Sequence, residues 1–294
     1  MSREIAPSLR RAAALLMLAG LAACTSSSQR PPGALRVLAT TSTLASLADG
    51  ASGSANIPSL VPIGISPEDY QPTPGDIGAL HEADVLIENG AGLEAWLADT
   101  IHNAANANLK IVGCTDGLPV IDGNPHLWMD PVFARAYVAR IRDALIAADP
   151  PHAERYRTAS AAYDRQLVAL TERTRAKIAT IPPSHRTMIV FHNAFDYYAR
   201  RFGLRIVGAI EPIAGAEPNP EHMAELIRLA RSQHVRAVFA EHEYSDKLAL
   251  TLAASAGGLR VAFLYDDSLG TALSVQTYIG MIDTDTDTIV SALK

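Results

Sequence analysis

The chain predicts an α/β fold of two lobes, each with a mostly parallel sheet flanked by helices, bridged by one long rigid helix. Three observations lead there. Short apolar runs alternate with helical patterns from residue 35 and again after residue 183, a stretch bounded by prolines separates the two blocks, and that stretch keeps one apolar face from end to end. In the first block, strands are expected at 35–39, 58–63, 84–88 and 110–113, with helices at 42–51, 74–83 and 93–103. Pro74 suits a first helical turn, where its missing N–H costs nothing. In the second block, strands are expected at 187–191, 205–209, 236–240 and 259–264. Helices follow at 194–202, 220–233, 246–256 and near the C-terminus.

Between the blocks, Pro150-Pro151 opens a segment that Pro182-Pro183 closes. Within it Tyr156, Tyr163, Leu167, Leu170, Thr174 and Ile178 recur at steps of three, four and seven, which is one face of a single helix. About 30 residues at 1.5 Å each would reach roughly 45 Å, the height of a molecule this size. Hinge opening about so stiff a connector should be small. The Asp/Thr run at 283–287 reads as a surface turn or a helix start.

Bulk properties narrow the function. The chain has 294 residues, more than one typical domain, and its 48% hydrophobic and 19% charged residues are a globular balance. A net charge of −6 leaves no basic footprint for nucleic acid and leans weakly towards a cationic ligand. A monomer is expected. At the N-terminus Arg3, Arg10 and Arg11 precede an apolar run from Ala12 to Ala23, too short to span a bilayer but right for a secretory signal. It ends in Leu21-Ala22-Ala23-Cys24, similar to the bacterial lipobox, in which the thiol is acylated. The expected organisation is therefore a signal peptide at 1–23, a lipid-anchored tether at 24–34, an N-terminal lobe at 35–149, a linker helix at 150–183 and a C-terminal lobe at 184–294. With Cys24 acylated, only Cys114 remains, so no intrachain disulfide supports the fold.

In open parallel α/β sheets, ligands bind just beyond the carboxyl ends of strands, and that rule filters the nine histidines and many carboxylates. Glu68 follows the 58–63 strand, His126 sits in a loop after the 110–113 strand, His192 follows 187–191 and Asp267 follows 259–264. Two come from each half, so all could converge between the lobes. Two imidazoles and two carboxylates would suit one divalent transition metal, and Glu241, at another strand end, is a rival ligand or a partner that orients one. Each also has an ordinary structural reading: His126 as a helix cap, His192 as a core residue, Asp267 as the start of a turn and Glu68 as a solvated loop charge. His81, His102, His152, His185, His222 and His234 fall on helices or their ends and read as surface residues.

The segments around these residues carry a resemblance. Ser66-Pro67-Glu68-Asp69-Tyr70 with Pro72-Thr73-Pro74-Gly75-Asp76, then Asn124-Pro125-His126-Leu127-Trp128-Met129-Asp130-Pro131, then Phe191-His192-Asn193-Ala194-Phe195-Asp196-Tyr197-Tyr198, occur in the order seen in the metal-binding solute receptors of bacterial ABC transporters. Glu217-Pro218-Asn219-Pro220, the stretch 241–248 and Tyr265–Leu269 resemble the family's later motifs. The resemblance implies two α/β lobes bridged by one helix, no enzymatic activity, and an extracytoplasmic receptor that hands Zn2+, Mn2+ or Fe2+ to an ABC permease. It implies ligand roles for His126, His192 and Asp267. The family usually reads Asp-Pro-His-x-Tyr at the first motif, so Glu68 stands where a histidine is expected. Glu68 is taken as the ligand, with Asp69 as the alternative, because carboxylate also suits these ions.

Other classes compete. Gly90-Ala91-Gly92-Leu93-Glu94-Ala95 fits the loose dinucleotide pattern of an NAD-dependent oxidoreductase, but at the third strand rather than the first. An exported zinc hydrolase would need an open coordination position and a general base, and neither His-Glu-x-x-His nor Gly-x-Ser-x-Gly occurs. A metal-dependent surface adhesin is the third.

Overall fold

The computed structural model describes residues 35–211 and 218–294. The signal segment, Cys24 and Glu217 lie outside them. The N-terminal sheet is parallel, with strands β1 (Val37–Ala39), β2 (Val85–Glu88) and β3 (Lys110–Gly113) in that order. Val85, Leu86 and Ile87 are fully buried, as expected for a central parallel strand covered on both faces. Helices α1 (Ser42–Ser52), α2 (Pro74–Glu82), α3 (Leu97–Ala104) and α4 (Pro131–Ala148) cover this sheet. Thr41 caps α1 by accepting from the Leu44 N–H, and Pro74 takes the first turn of α2.

The expected strand at 58–63 does not form. Ser59 makes only an isolated bridge to Ala39, and the path through 58–63 is a loop along the sheet edge. Pro58 and Pro62 have no N–H to give to a ladder, so although Leu60 and Val61 are buried and bond back to Ala39 and Thr40, the run does not extend into a regular strand. The N-terminal sheet therefore has three strands rather than four.

The connector is α5 (Ala153–Ala179), 27 residues long, entered through a short 3-10 turn at Pro150–His152. Its buried side is Tyr156, Ser160, Leu167, Leu170, Thr171, Thr174 and Ile178, close to the face read from the sequence. The second sheet is β5-β4-β6-β7, all parallel: β4 (Thr187–Val190), β5 (Arg205–Ala209), β6 (Ala237–Glu241) and β7 (Arg260–Leu264). Its helices are α6 (Asp196–Phe202), α7 (Pro220–Ser232), α8 (Lys247–Ala256) and α9 (Tyr278–Leu293).

The 283–287 run is neither a surface turn nor a helix start. It lies inside α9, where Asp285 and Thr286 are wholly buried. Asp283 and Asp287, four apart, meet Arg173 and Lys177, also four apart on α5, at 2.6 Å for each pair. Alternation of outward and buried acids hid a helical period that the threonines did not reveal. Exposed pairs of this kind stabilise by about 0–1 kcal/mol. Their greater effect is to fix the register of α9 against α5.

One apolar core runs from Ala39 and Leu44 of the first block, through Leu167 and Leu170 of α5, to Leu264 and Met281 of the second. The two sheets thus share this core, and each also has a smaller apolar cluster of its own on its other face, around Leu80 and Leu86 in the first and Ile189 and Leu252 in the second. Leu170 is wholly buried within it, whereas Val168 on the same helix is 41% exposed. Replacing Leu170 with Ala should destabilise by about 2–5 kcal/mol through lost contacts and a cavity. Val168→Ala should cost well under about 1 kcal/mol. Urea denaturation of the two variants checks this, and equal midpoints would contradict the shared-core reading.

Candidate metal centre

Four loops at carboxyl ends of strands, together with the loop that carries Glu68, bring the expected residues to one place. Trp96 donates its indole N–H to the Pro67 carbonyl at 2.8 Å, and Tyr70 donates its hydroxyl to Asp76 at 2.8 Å. Asp76 also accepts from the Thr73 N–H, so the start of α2 fixes the segment that holds Glu68. Asn124 receives both the backbone N–H and ring Nδ1–H of His126, at 3.0 and 2.8 Å, which leaves His126 Nε2 free for the cleft. The Asn124 amide in turn donates to the Asn193 carbonyl at 2.6 Å, tying the His126 loop to the residue after His192.

His192 leaves the end of β4, and its Nδ1–H donates to Glu241 at 2.6 Å. Glu241 is the last residue of β6 and is 1% exposed. With Nδ1 so held, His192 Nε2 faces His126 Nε2 at 3.1 Å. Asp267 follows β7; its Oδ1 stands 3.3 Å from His126 Nε2 and its Oδ2 accepts from the Ser66 hydroxyl at 2.9 Å. Glu68 Oε1 lies 3.7 Å from His126 Nε2, with 20% of the side chain still exposed. His126, His192 and Asp267 offer donor atoms that all lie within 4.8 Å of one another. Donors about 2.1 Å from one ion sit roughly 3.0–3.4 Å apart, so this spacing could hold a metal.

Among the described residues no hydrogen bond or ion pair joins Asp69 to this group, whereas Glu68 stands 3.7 Å from His126. Glu241 acts as the partner that orients His192. Two residues escaped the sequence reading. Asn124 sets the His126 tautomer, and Asp266, wholly buried, places Oδ2 3.5 Å from His192 Nε2. The tandem Asp266-Asp267 directly beyond a strand was the available signal.

Charge and burial compete throughout. Burial pushes the Glu68 carboxyl up to about 7, helped by the charge of Asp267. Burial alone would push the His192 imidazole down, but the charge and hydrogen bond of Glu241 outweigh it and raise it to about 10. Burial lowers His126. At Asp267 burial works upward, yet the close approach of His126, the charge of His192 and the hydrogen bond from Ser66 outweigh it and hold it below the usual carboxylate value. A cleft of about 360 Å³, lined by Glu68, Gly92, Asn124, His126 and His192 among others, opens the group to solvent.

The same loops close the dinucleotide alternative. Gly90 and Gly92 have φ of +81° and +87°, which L side chains rarely adopt. The N–H groups of Asn89 and Gly90 are already taken by the buried Glu94 carboxylate, at 2.8 and 3.1 Å. A pyrophosphate would meet a negative charge where a dinucleotide fold offers free N–H donors.

Residues 37–292 match the family described as zinc-uptake complex component A, periplasmic. The chain belongs to this family of metal-binding receptors of ABC transporters. Among relatives, the manganese-binding lipoprotein MntA of Halalkalibacterium halodurans is 31% identical over 285 residues, spanning 95% of each chain. The iron-binding protein YfeA of Yersinia pestis is 33% identical over 264 residues, 86% of this chain and 85% of its own. A Mn-bound periplasmic metal binding protein from Candidatus Liberibacter asiaticus shares the fold with a TM-score of 0.81 at 26% identity, over 89% of this chain and 100% of its own. The periplasmic zinc binding protein TroA from Treponema pallidum gives 0.80 at 25% identity, over 87% of this chain and 98% of its own. Receptors of this family bind solute and are not enzymes, and this chain is one of them.

The His192–Glu241 contact yields a test within the protein itself. Glu241→Gln keeps the shape and removes the charge that raises His192. The imidazole should then titrate well below about 10, as followed by NMR of the ring. An unmoved titration would show that Glu241 does not set the state of His192.

Proposed function

We propose that this receptor binds a single divalent transition-metal ion through Glu68, His126, His192 and Asp267, with Mn2+ or Fe2+ ahead of Zn2+, and delivers it to an ABC permease. The observation that supports this most is the convergence of His126 Nε2, His192 Nε2 and an Asp267 oxygen, each aimed by a partner behind it. The carboxylate at position 68 adds charge and hard oxygen, which Mn2+ and Fe2+ accept more readily than a purely nitrogen-rich site would. Relatives named for manganese, iron and zinc occur together, so the family alone does not choose among them.

In this reading the working unit is a lobe at 35–149 and a lobe at 184–294, joined by 150–183, and each lobe contributes two donors. The ion is cargo, so the site must both hold and release it. Protons compete for the same donors. A Glu68 carboxyl raised to about 7 and a His192 imidazole raised to about 10 must both give up a proton to take the ion, so affinity should fall steeply as pH drops through about 7 and should go on rising above it towards about 10.

Titration with Mn2+ and Zn2+ against a competing chelator tests the assignment. His126→Ala and His192→Ala should each lose more than about 100-fold in affinity, beyond the effect usual for residues behind the ligands. They should also lose most of the thermal stabilisation by metal. Glu68→Ala should weaken both ions, and Glu68→His should keep binding while shifting preference to Zn2+. Parental affinity in Glu68→Ala would leave the site with three protein ligands.

Export and anchoring complete the reading. Relatives are named lipoproteins, and no helix among the described residues is long and apolar enough to cross a membrane. Cys24 then carries the lipid, after removal of 1–23, and holds the receptor at the cell envelope. Cys24→Ala should release the protein from the membrane fraction or leave uncleaved precursor. Unchanged mass and fractionation would rule out the anchor.

A further inference from the structure

Beside the proposed ligands stands a carboxylate that they leave unused. Asp266 is 0% exposed, and no side chain among the described residues hydrogen-bonds either of its oxygens. Buried carboxylates are ordinarily paired, because an unpaired one forfeits its hydration with nothing in return. The backbone of Asp266 is firmly placed: Trp128 donates its indole N–H to the Asp266 carbonyl at 2.9 Å, and Tyr278 donates to the Trp128 carbonyl at 2.7 Å. Side-chain freedom is therefore local, a rotation about one or two bonds.

The direction of that side chain narrows its role. Asp266 Oδ2 is 3.5 Å from His192 Nε2, the nitrogen that also faces His126 Nε2. Asp266, His192 and Glu241 form a second group whose donor atoms lie within 4.8 Å of one another, and it shares His192 with the first. Glu241 is already occupied by His192 Nδ1, so Asp266 is the member of this group with oxygens to spare.

We propose that Asp266 is an additional oxygen donor to the ion held at His192, raising the donor set to Glu68, His126, His192, Asp266 and Asp267 and setting its preference for harder ions. This rests on the metal site described above. Three carboxylates with two imidazoles make a shell of five donors, more than the four of a tetrahedral zinc site. Higher coordination with oxygen suits Mn2+, while Zn2+ loses little when a fifth donor is removed.

The test uses the full chain and three ions added as simple salts. Asp266→Asn keeps the volume and Asp266→Ala removes the donor; thermal unfolding without metal establishes that each is folded. Both variants should lose at least about tenfold in Mn2+ affinity and markedly less in Zn2+ affinity, lowering the Mn2+-to-Zn2+ ratio. The cobalt-loaded parent should show the weak visible bands of five- or six-coordinate Co2+. Asp266→Ala should show the stronger bands of four-coordinate Co2+, a change that a purely structural role would not produce. Parental affinities for both ions, or an equal loss for both with the cobalt spectrum unchanged, overturns the proposal. A parent that binds none of the three ions overturns the site assignment itself.

Discussion

Removing a carboxylate from water costs several kcal/mol unless a cation or hydrogen bonds replace the lost hydration. Behind His126 and His192 the protein nevertheless collects Glu241, Asp266 and Asp267, each 1% exposed or less, with Glu68 lining the cleft. Two imidazoles cannot balance four acids. The Ser66 hydroxyl compensates Asp267 and the His192 N–H groups compensate Glu241; burial raises Glu68, Glu241 and Asp266 towards their protonated forms, and the charge that remains is a negative potential concentrated at one point. Under the proposed reading a divalent ion balances that potential, and the rest of the molecule exists to hold these groups together before it arrives.

The scaffold does so by sharing one core between two parallel sheets. Within a sheet, parallel strands point their carboxyl ends the same way, so β4, β6 and β7 deliver their loops to one edge, and the loop after β3 of the other sheet meets them through His126. Cross-connections then lock loops from distant parts of the chain. Asn124 reaches the Asn193 carbonyl, Trp128 reaches the Asp266 carbonyl, and the Ser66 hydroxyl reaches Asp267. Each is a side chain beside a proposed ligand, bonded to the neighbourhood of a ligand from another strand. Precision at the donor atoms comes from these bonds, and stiffness beneath them from α5 and its buried face.

Much of this was legible in the sequence. The alternation of strands and helices, the long connector and the placing of His126, His192 and Asp267 beyond apolar runs follow from periodicity and the strand-end rule, whereas Glu68 was reached from a run, 58–63, that makes no strand. What escaped was tertiary. The 58–63 run has strand composition, but its two prolines limit its pairing with β1 to an isolated bridge. The 283–287 run looks polar and turn-like, yet Asp285 is drawn inside to accept the Tyr265 N–H at 3.0 Å, a contact no local pattern encodes. Asp266 went unnoticed because alternation along a strand puts neighbours on opposite sides. Beyond the last residue of β7 that rule lapses, and both acids turn inward. The Gly90–Gly92 motif misled in the opposite way, since its positive φ values serve a buried Glu94 rather than a phosphate.

Cys114, at the end of β3, is wholly buried, and that burial pushes its thiol well above the ordinary value. Only the thiolate attacks disulfides, oxidants or alkylating reagents at a useful rate, so this sulfur is chemically silent while the fold holds. Under the proposed export, which would place the receptor where disulfide exchange is continuous, a silent thiol spares the folded receptor from mixed disulfides and dimers linked through sulfur. For the spectroscopist it is also an advantage. A cysteine introduced on the rim of the cleft could carry a fluorophore or spin label without competition from the native one, and would report on loop position as the ion comes and goes.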